Sequence, residues 1–590
     1  MSVTLGVDEP AGPAGGESAD PPAADTSTQT SPAPAKTFLE RLCPPMPTGG
    51  WRGWIGPLIV TLIALLLRLP NLGTPRAVVF DETYYVKDGL SLLLFGHEHQ
   101  AVEGADKLML ASTDTDPSAL VGLFKDDASF VVHPPVGKWM IGFGEHFFGV
   151  DPFGWRISVC VLGILSVLLV ARITRRLLRS NLLGTLAGLL VAIDGLSIVM
   201  SRTALLDTSL MFFVLVSFGA LLLDRDRTRR RLAKRAQALA DATEADGAEP
   251  AEPPGEATDL GAAGPPEPAE PAPTASDDPV AAPKRPKPWG ALGPGFGLRP
   301  WRIVAGLSLG LACGVKWSGL YYIIGFGILT VLWDVGARRA VGVARPWLGM
   351  LIRDAIPAFL SLVVVAAIVY VGTWSGWLLT SGGWDRDWAD DQDPSIIPAA
   401  LRSLWHYHVE AWNFHVGLTS QHSYQANAWG WPVMARPTSF FYESPQGACG
   451  TDDCAQEVIA LGNPIIWWAG VFALFYSVWR WFAKRDWRSG AILCAFLAGW
   501  LPWLFFQERT VFGFYSIVFE PFVIMALTMM LGAIIGPVTA PGNRRRNGAI
   551  GAGVIVALAI IACAFFYPIW TGEPITHGYW QLHMWFPTWI

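Results

Sequence analysis

The chain has 590 residues, of which 52% are hydrophobic, 16% charged and 28 are Trp, with a formal net charge of −6 and a mean hydropathy of +0.35. Soluble globular chains carry about a quarter charged residues, so this composition argues against a water-soluble enzyme and against a nucleic-acid binder. Seven scattered Cys, none in a CxxC or zinc-like spacing, do not make a disulfide framework or a zinc site.

Residues 1–50 are rich in Ala, Pro, Ser, Thr and Gly and read as a disordered tail, without the basic start and apolar core of a cleaved signal peptide. Apolar runs long enough to cross a bilayer then recur. They lie at about 54–69, 153–171, 182–200, 205–223, 302–315, 319–334, 356–379, 463–482, 489–506, 511–536 and 549–570. The stretches 182–223 and 302–334 are too long for single tilted helices, so each divides into two helices joined by a tight turn. The expected fold is an all-α polytopic membrane protein with about 11 transmembrane helices.

Charge sets the orientation. With the N-terminus in the cytoplasm and the C-terminus outside, most of the 43 Lys and Arg residues fall inside, and all 10 His fall outside. The chain is then expected to divide into a cytoplasmic tail 1–50, a catalytic module 51–235 with an outer loop 70–152, and a disordered cytoplasmic Pro/Ala/Glu-rich insertion 236–300. Central helices 301–379, an ordered outer loop 380–462 loaded with Trp, His, Tyr and Asn, and C-terminal helices with an outer tail 463–590 complete the map.

The chemistry-bearing residues gather on the outer side. Val79-Phe80-Asp81-Glu82-Thr83-Tyr84-Tyr85 follows the first span. An acid there caps a helix beginning near Tyr84, or acts as a general base whose basicity is set by desolvation and nearby cations. The spacing leaves both readings open. His133-Pro134-Pro135-Val136-Gly137-Lys138 opens an interfacial helix, since Pro suits the first turn, with Lys138 near the headgroups. Arg156 stands at the outer start of the second span, Arg202 and Asp207 in the turn 201–207, and Lys316 between two spans. Ionisable groups in apolar segments are costly and face a cavity, a partner or a polar substrate. An Arg202–Asp207 ion pair is one explanation; a site for an anionic headgroup is the other. His406, His408, His415 and His422 make no convincing ligand set, because residues two apart on a helix point to different sides. No metal and no cofactor are expected. Cys449 and Cys454 flank a Gly- and Asp-containing turn in an oxidising compartment and are expected to form a disulfide.

The ordered series is more specific than its parts. Phe80-Asp81-Glu82-Tyr84, His133-Pro134-Pro135-Gly137-Lys138, Ser201-Arg202-Ala204-Leu205-Leu206-Asp207, and Gly314-Lys316-Trp317-Ser318-Gly319 resemble the protein O-mannosyltransferase family. His422-Ser423-Tyr424 with Trp431-Pro432 and Arg436-Pro437, and the tail Tyr579 to Trp589, extend the likeness from about residue 51 onward. The chain looks like a bacterial, actinobacterial member without a MIR domain.

The resemblance implies a C-type glycosyltransferase fold that transfers mannose, with inversion, from polyprenyl-phosphate mannose to Ser or Thr hydroxyls of exported proteins. Such an enzyme would sit in the plasma membrane with its active site outside and with the secretion translocon as a candidate partner. It implies Asp81 as base with Glu82 in support. The donor phosphate is assigned to cations among Arg156, Lys316, Arg202 and Lys138, with His133, Asp207 and His422 as further site candidates. The rival readings are a related transferase with another polyprenyl-phosphate sugar or a lipid acceptor, and a transporter or flippase. A transporter places its charges near the bilayer midplane in repeated halves; here the charges crowd one face.

Overall fold

The computed structural model describes residues 37–47, 50–246 and 289–590. Most of the expected tail and insertion lies outside the described residues. Among the described residues, seven helices are long and apolar enough to cross a membrane: Pro152–Leu178, Asp207–Ala242, Gly319–Ala340, Ala355–Thr373, Pro464–Lys484, Trp487–Phe505 and Gly542–Thr571. An eighth is the pair Asn181–Ala192 and Gly195–Ser201, bent by 63°. The apolar helices Arg52–Arg68, Pro300–Val315 and Glu520–Ile535 are shorter. The chain is thus a mostly helical multi-pass membrane protein. Each of the eleven expected apolar segments carries a helix, but seven or eight, not eleven, have the length to span on their own.

The break after Ala192 escapes a hydropathy reading because both halves are apolar. Asp194 caps the second half by accepting from the Ser197 N–H at 3.3 Å, and its other oxygen accepts from the Asn463 N–H at 3.0 Å. Buried Arg68 donates to the carbonyls of Ala192 and Val191 at 2.8 and 3.0 Å. The backbone groups freed by the break are therefore satisfied inside the protein, as an apolar surround demands. Gly195 is needed there: a Cβ would lie 2.1 Å from the Trp570 ring.

Two expectations are corrected. The fold is not all-α, because the described residues include five short strands. His99–Ala101 pairs antiparallel with Phe124–Ala128, and Thr438–Glu443, Cys454–Ala460 and Ile575–Thr576 form a three-stranded sheet. The run Thr438-Ser439-Phe440-Phe441-Tyr442 is β-branched and aromatic, a composition that suits a strand as well as a membrane surface. Nor does order end at residue 235. The helix from Asp207 continues to Asp246, because the Ala-rich segment is a good helix former. Leu232, Ala233 and Ala236 bury against Leu42, Phe296 and Val343.

The expected interfacial segments are helices Glu82–Phe95 and Val136–Phe148, packed against each other. Cys449 and Cys454 are joined by a disulfide, with Cα atoms 5.8 Å apart, between strands Thr438–Glu443 and Cys454–Ala460. The helix ends divide by charge. At one end Arg176 and Arg179 meet Asp226, Arg299 meets Asp224 and Asp334, and Arg480 and Arg488 share Asp486. The connections bearing Asp81, His133, Asp207 and Lys316 lie at the other.

Candidate active site

The turn after the first apolar helix is held by aromatic packing. Phe80 takes a left-handed conformation, φ 47°, and its ring stacks on Phe440 at 5.0 Å and meets Phe512 and Phe514 edge-on at 5.4 and 5.6 Å. Those contacts offset the cost of positive φ at a bulky residue. They fix the next residue, Asp81, at the N-terminus of helix Glu82–Phe95.

Asp81 stands in the capping position, yet its side chain makes no capping hydrogen bond. Burial pushes its carboxyl up to about 6, Asp207 adds to the rise, and Lys316 and a hydrogen bond from Tyr85 oppose it. Of the two readings the sequence left open, the structure removes capping.

Glu82 is fully buried and fully used. Its carboxylate accepts from Arg156 Nε and Nη2, both at 2.8 Å, and from the backbone N–H groups of Val79 at 3.0 Å and Ala204 at 2.8 Å. Arg156 spends its remaining donors on the carbonyls of Leu72, Pro75 and Ala77 at 3.3, 3.0 and 2.8 Å. A guanidinium has five N–H donors, and all five are taken. The assignment of Arg156 to the donor phosphate is therefore corrected: this pair knits the turn 72–82 to helix Pro152–Leu178.

Two more of the expected phosphate-binding cations are engaged elsewhere and line no part of the cavity at Lys316. Arg202 is buried and donates to the carbonyls of Arg68, Pro70 and Asn71 at 2.6, 2.8 and 2.7 Å. Lys138 is buried against Glu98, with Asp88 at 3.8 Å, so it neither snorkels nor faces a ligand. The carbonyls at the end of helix Arg52–Arg68 hold both terminal nitrogens of Arg202, leaving its Nε without a partner, and a carboxylate holds Lys138; neither partner is visible from linear spacing.

Lys316 remains. It ends helix Pro300–Val315, donates to both oxygens of Asp207 at 3.0 and 3.2 Å, and sits 3.9 Å from the Tyr515 ring centroid. Asp207 thus pairs with Lys316 and not with Arg202. Lys316 also lines a cavity of about 630 Å³. Trp317, Tyr370, Trp405 and Trp412 give that cavity an aromatic wall, and Val363 and Ala367 an aliphatic one. His133 forms part of its lining, 5.3 Å from the His415 ring and 6.1 Å from Tyr85. Burial, with Lys316 and His415 nearby, holds the His133 imidazole well below its usual range and hence neutral. His422 is more exposed and packs edge-on against Phe80 and Phe512 at 5.9 and 5.1 Å.

One cavity residue was missed. Arg509 lies in the connection after Phe505, donates to His415 Nδ1 at 3.1 Å and stacks over Trp503 at 5.6 Å. Among the described residues it has no carboxylate within salt-bridge distance. The signal was present: Gln507-Glu508-Arg509-Thr510 interrupts two apolar runs on the side where the other candidates gather. The remaining histidines go to separate duties. His406 stacks on Trp388 at 4.3 Å, and His408 contacts the Tyr370 hydroxyl at 2.5 Å.

An apolar cavity lined by Lys316 and Arg509, with the raised Asp81 carboxyl interacting with that same Lys316, suits transfer of a group from a lipid phosphate. Known proteins agree with that reading. Residues 129–241 match the family model described as dolichyl-phosphate-mannose-protein mannosyltransferase, and residues 400–589 match the C-terminal four-transmembrane region of protein O-mannosyltransferase. A polyprenol-phosphate-mannose–protein mannosyltransferase of Mycobacterium tuberculosis is 35% identical over 555 residues, covering 91% of this chain and 92% of that one. The chain belongs to the protein O-mannosyltransferase family. A relative of the same name from Corynebacterium glutamicum is 29% identical over 544 residues, 90% of this chain and 92% of its own. The solved S. cerevisiae protein O-mannosyltransferase Pmt1-Pmt2 complex bound to the sugar donor shares the fold. Its TM-score is 0.63 at 12% identity, with 94% of each chain covered. Family membership makes this a protein mannosyltransferase, and the matched segments carry His133, Asp207, His422 and Arg509.

Proposed function

We propose that this enzyme transfers mannose from polyprenol-phosphate mannose to Ser or Thr hydroxyls of exported proteins, with inversion, at the outer face of the plasma membrane. The observation that carries the reading is Asp81, a buried carboxyl raised to about 6 whose charge interacts with the Lys316–Asp207 pair, Lys316 in turn lining the apolar cavity. At neutral pH such a group is ionised yet more basic than an ordinary carboxylate, which is what a general base needs. In the step, the acceptor hydroxyl oxygen bonds to the mannose anomeric carbon as the bond to the phosphate oxygen breaks. The hydroxyl proton passes to Asp81, and the electron pair of the broken bond stays on the polyprenyl phosphate. Lys316 and Arg509 stabilise that growing charge in a low-dielectric setting, while the cavity walls take the first isoprene units. His133, neutral, and His422, beside Phe80, flank the acceptor side.

The proposed topology has eleven crossings, the short helices Arg52–Arg68, Pro300–Val315 and Glu520–Ile535 included, with the N-terminus inside and the C-terminus outside. The gathering of Arg-rich helix ends opposite Asp81 supports it, since basic residues favour the cytoplasmic side. Acceptors then meet the site as they leave the secretion translocon. The catalytic groups come from the outer loop 70–152 and the turns before Asp207, Gly319 and Gly513.

Purified enzyme incubated with radiolabelled polyprenyl-phosphate mannose and a Ser/Thr/Pro/Ala-rich peptide should yield an O-linked α- or β-mannoside of the anomer opposite to the donor. Label appearing only in lipid, or transfer only from a different polyprenyl-phosphate sugar, would overturn the reading.

A further inference from the structure

A second cavity, also of about 630 Å³, opens at the end of the bundle opposite Asp81. Seven cations and a single carboxylate, Asp486, line it. Asp486 is already shared by Arg480 and Arg488 at 2.7 Å each, and Arg179 is held by Asp226 at 2.9 Å. Arg41, Arg229 and Lys484 have no carboxylate within salt-bridge distance among the described residues. Arg225, buried, reaches Asp226 only at 3.5 Å and sits over the Trp487 ring, its Cζ 3.3 Å from the ring centroid. The Nε groups of Arg225 and Arg229 are buried with no hydrogen-bond partner. These two arginines are also four apart on one helix, a like-charge spacing that costs stability without a counter-ion. Crowded, partly desolvated cations with spare donors are the arrangement of an anion site.

The position narrows the anion. The cavity lies where the apolar helices Pro152–Leu178 and Pro464–Lys484 end and Trp487–Phe505 begins, with Trp487 in its wall. Apolar helix ends bearing Trp and Arg mark the headgroup level of a bilayer, and basic pockets between helices hold phosphorylated headgroups there. We propose that this cavity binds the phosphate-bearing headgroup of an anionic phospholipid, a site separate from the one for the sugar donor. The bound lipid ties the middle of helix Asp207–Asp246, at Arg225 and Arg229, to the ends of the C-terminal helices, bridging parts of the chain that otherwise repel.

The test uses the full chain in nanodiscs of phosphatidylcholine with phosphatidylglycerol or cardiolipin, followed by native mass spectrometry of retained lipid. The variant is the triple change Arg41→Gln, Arg229→Gln and Lys484→Gln, at partly exposed positions outside the catalytic site. The expected result is selective retention of the anionic lipid by the parent chain, weakened at least about tenfold in the variant, with mannosyl transfer showing the variant to be folded. Equal retention by both proteins, or no preference over phosphatidylcholine, would overturn the proposal. Displacement by inorganic phosphate at millimolar levels would make this a free-anion site and overturn the lipid assignment. Binding that emerges only when residues 247–288 are replaced by a Gly/Ser linker would assign the cavity to the chain's own acidic segment instead.

Discussion

Arg156 and Glu82 meet through two parallel hydrogen bonds of 2.8 Å with both side chains fully buried. This is the planar fork geometry in which guanidinium and carboxylate pair best. The remaining donors and acceptors of the pair are all satisfied by backbone, so it binds the turn 72–79 to the turn before Asp207. Asp81 is held between those two turns.

Losing one partner strands a buried charge, which costs about 3–5 kcal/mol. Arg156→Ala is therefore expected to lower the melting temperature and the yield of folded protein strongly. Whatever fraction folds should still bind donor, because the guanidinium does not reach the cavity. Thermal unfolding in detergent and donor titration separate the two effects. A well-folded Arg156→Ala protein with lost donor affinity would return this arginine to the phosphate.

Arg509 and Lys316 should behave in the reverse way. Each neutral variant, Arg509→Gln or Lys316→Gln, is expected to express normally in the case of Arg509, and with some loss for Lys316, which leaves Asp207 buried without its cation. Both should lower kcat by about 100- to 1,000-fold, the usual effect of removing one stabiliser of developing charge. Single-turnover rates with saturating donor measure this. An Arg509→Gln enzyme at parental rate would remove it from the leaving-group side.

The disulfide Cys449–Cys454 closes a short loop on the side proposed to be outside. Mass spectrometry of protein from intact cells should show both cysteines alkylated only after reduction. The double Ser variant should be modestly less stable and retain transfer, since strand pairing of Thr438–Glu443 with Cys454–Ala460 stands without it.

Replacing residues 247–288 with a short Gly/Ser linker should leave turnover within about twofold, as is usual for changes at surface connections remote from a site. The assay is peptide mannosylation normalised to the amount of enzyme in the membrane. A large loss at equal abundance would give the segment a role in catalysis.

How far the sequence carried can be read from particular residues. Helices were separated at Lys316 and before Asp207 because the apolar stretches 302–334 and 182–223 are each too long for one tilted span. Hydropathy did not reveal the break at Ile193–Asp194, whose cost is offset by Arg68, more than a hundred residues away in the chain. Family likeness selected Asp81, whereas the placement of charges at helix ends grouped Arg156, Arg202 and Lys138 with Lys316 as phosphate ligands. The difference among them is which carbonyls and carboxylates stand nearby in space, and a linear pattern holds no such information. Arg509 falls between the apolar runs 489–506 and 511–536, and its place beside His415, 94 residues away in the chain, is not visible in linear order.

The central claim is that Asp81 takes the acceptor proton, and the pH profile of the parent enzyme beside Asp81→Asn tests it most directly. With the carboxyl at about 6, kcat/KM should be level near neutrality and fall about tenfold per pH unit below that value as the base is protonated. The stability linkage has its own sign. A folded-state value raised from 3.8 to about 6 means the stability Asp81 contributes is present below pH 3.8 and lost as pH rises to about 6. The acid limb of the rate is therefore not unfolding of this site. Asp81→Asn keeps the shape and removes the basic oxygen, so it should fold, bind donor and lose about 100- to 10,000-fold in rate. The small remaining activity should lack the acid limb near pH 6. An Asp81→Asn enzyme with near-parental turnover, or one that keeps the same acid limb, would contradict the account and move the base elsewhere.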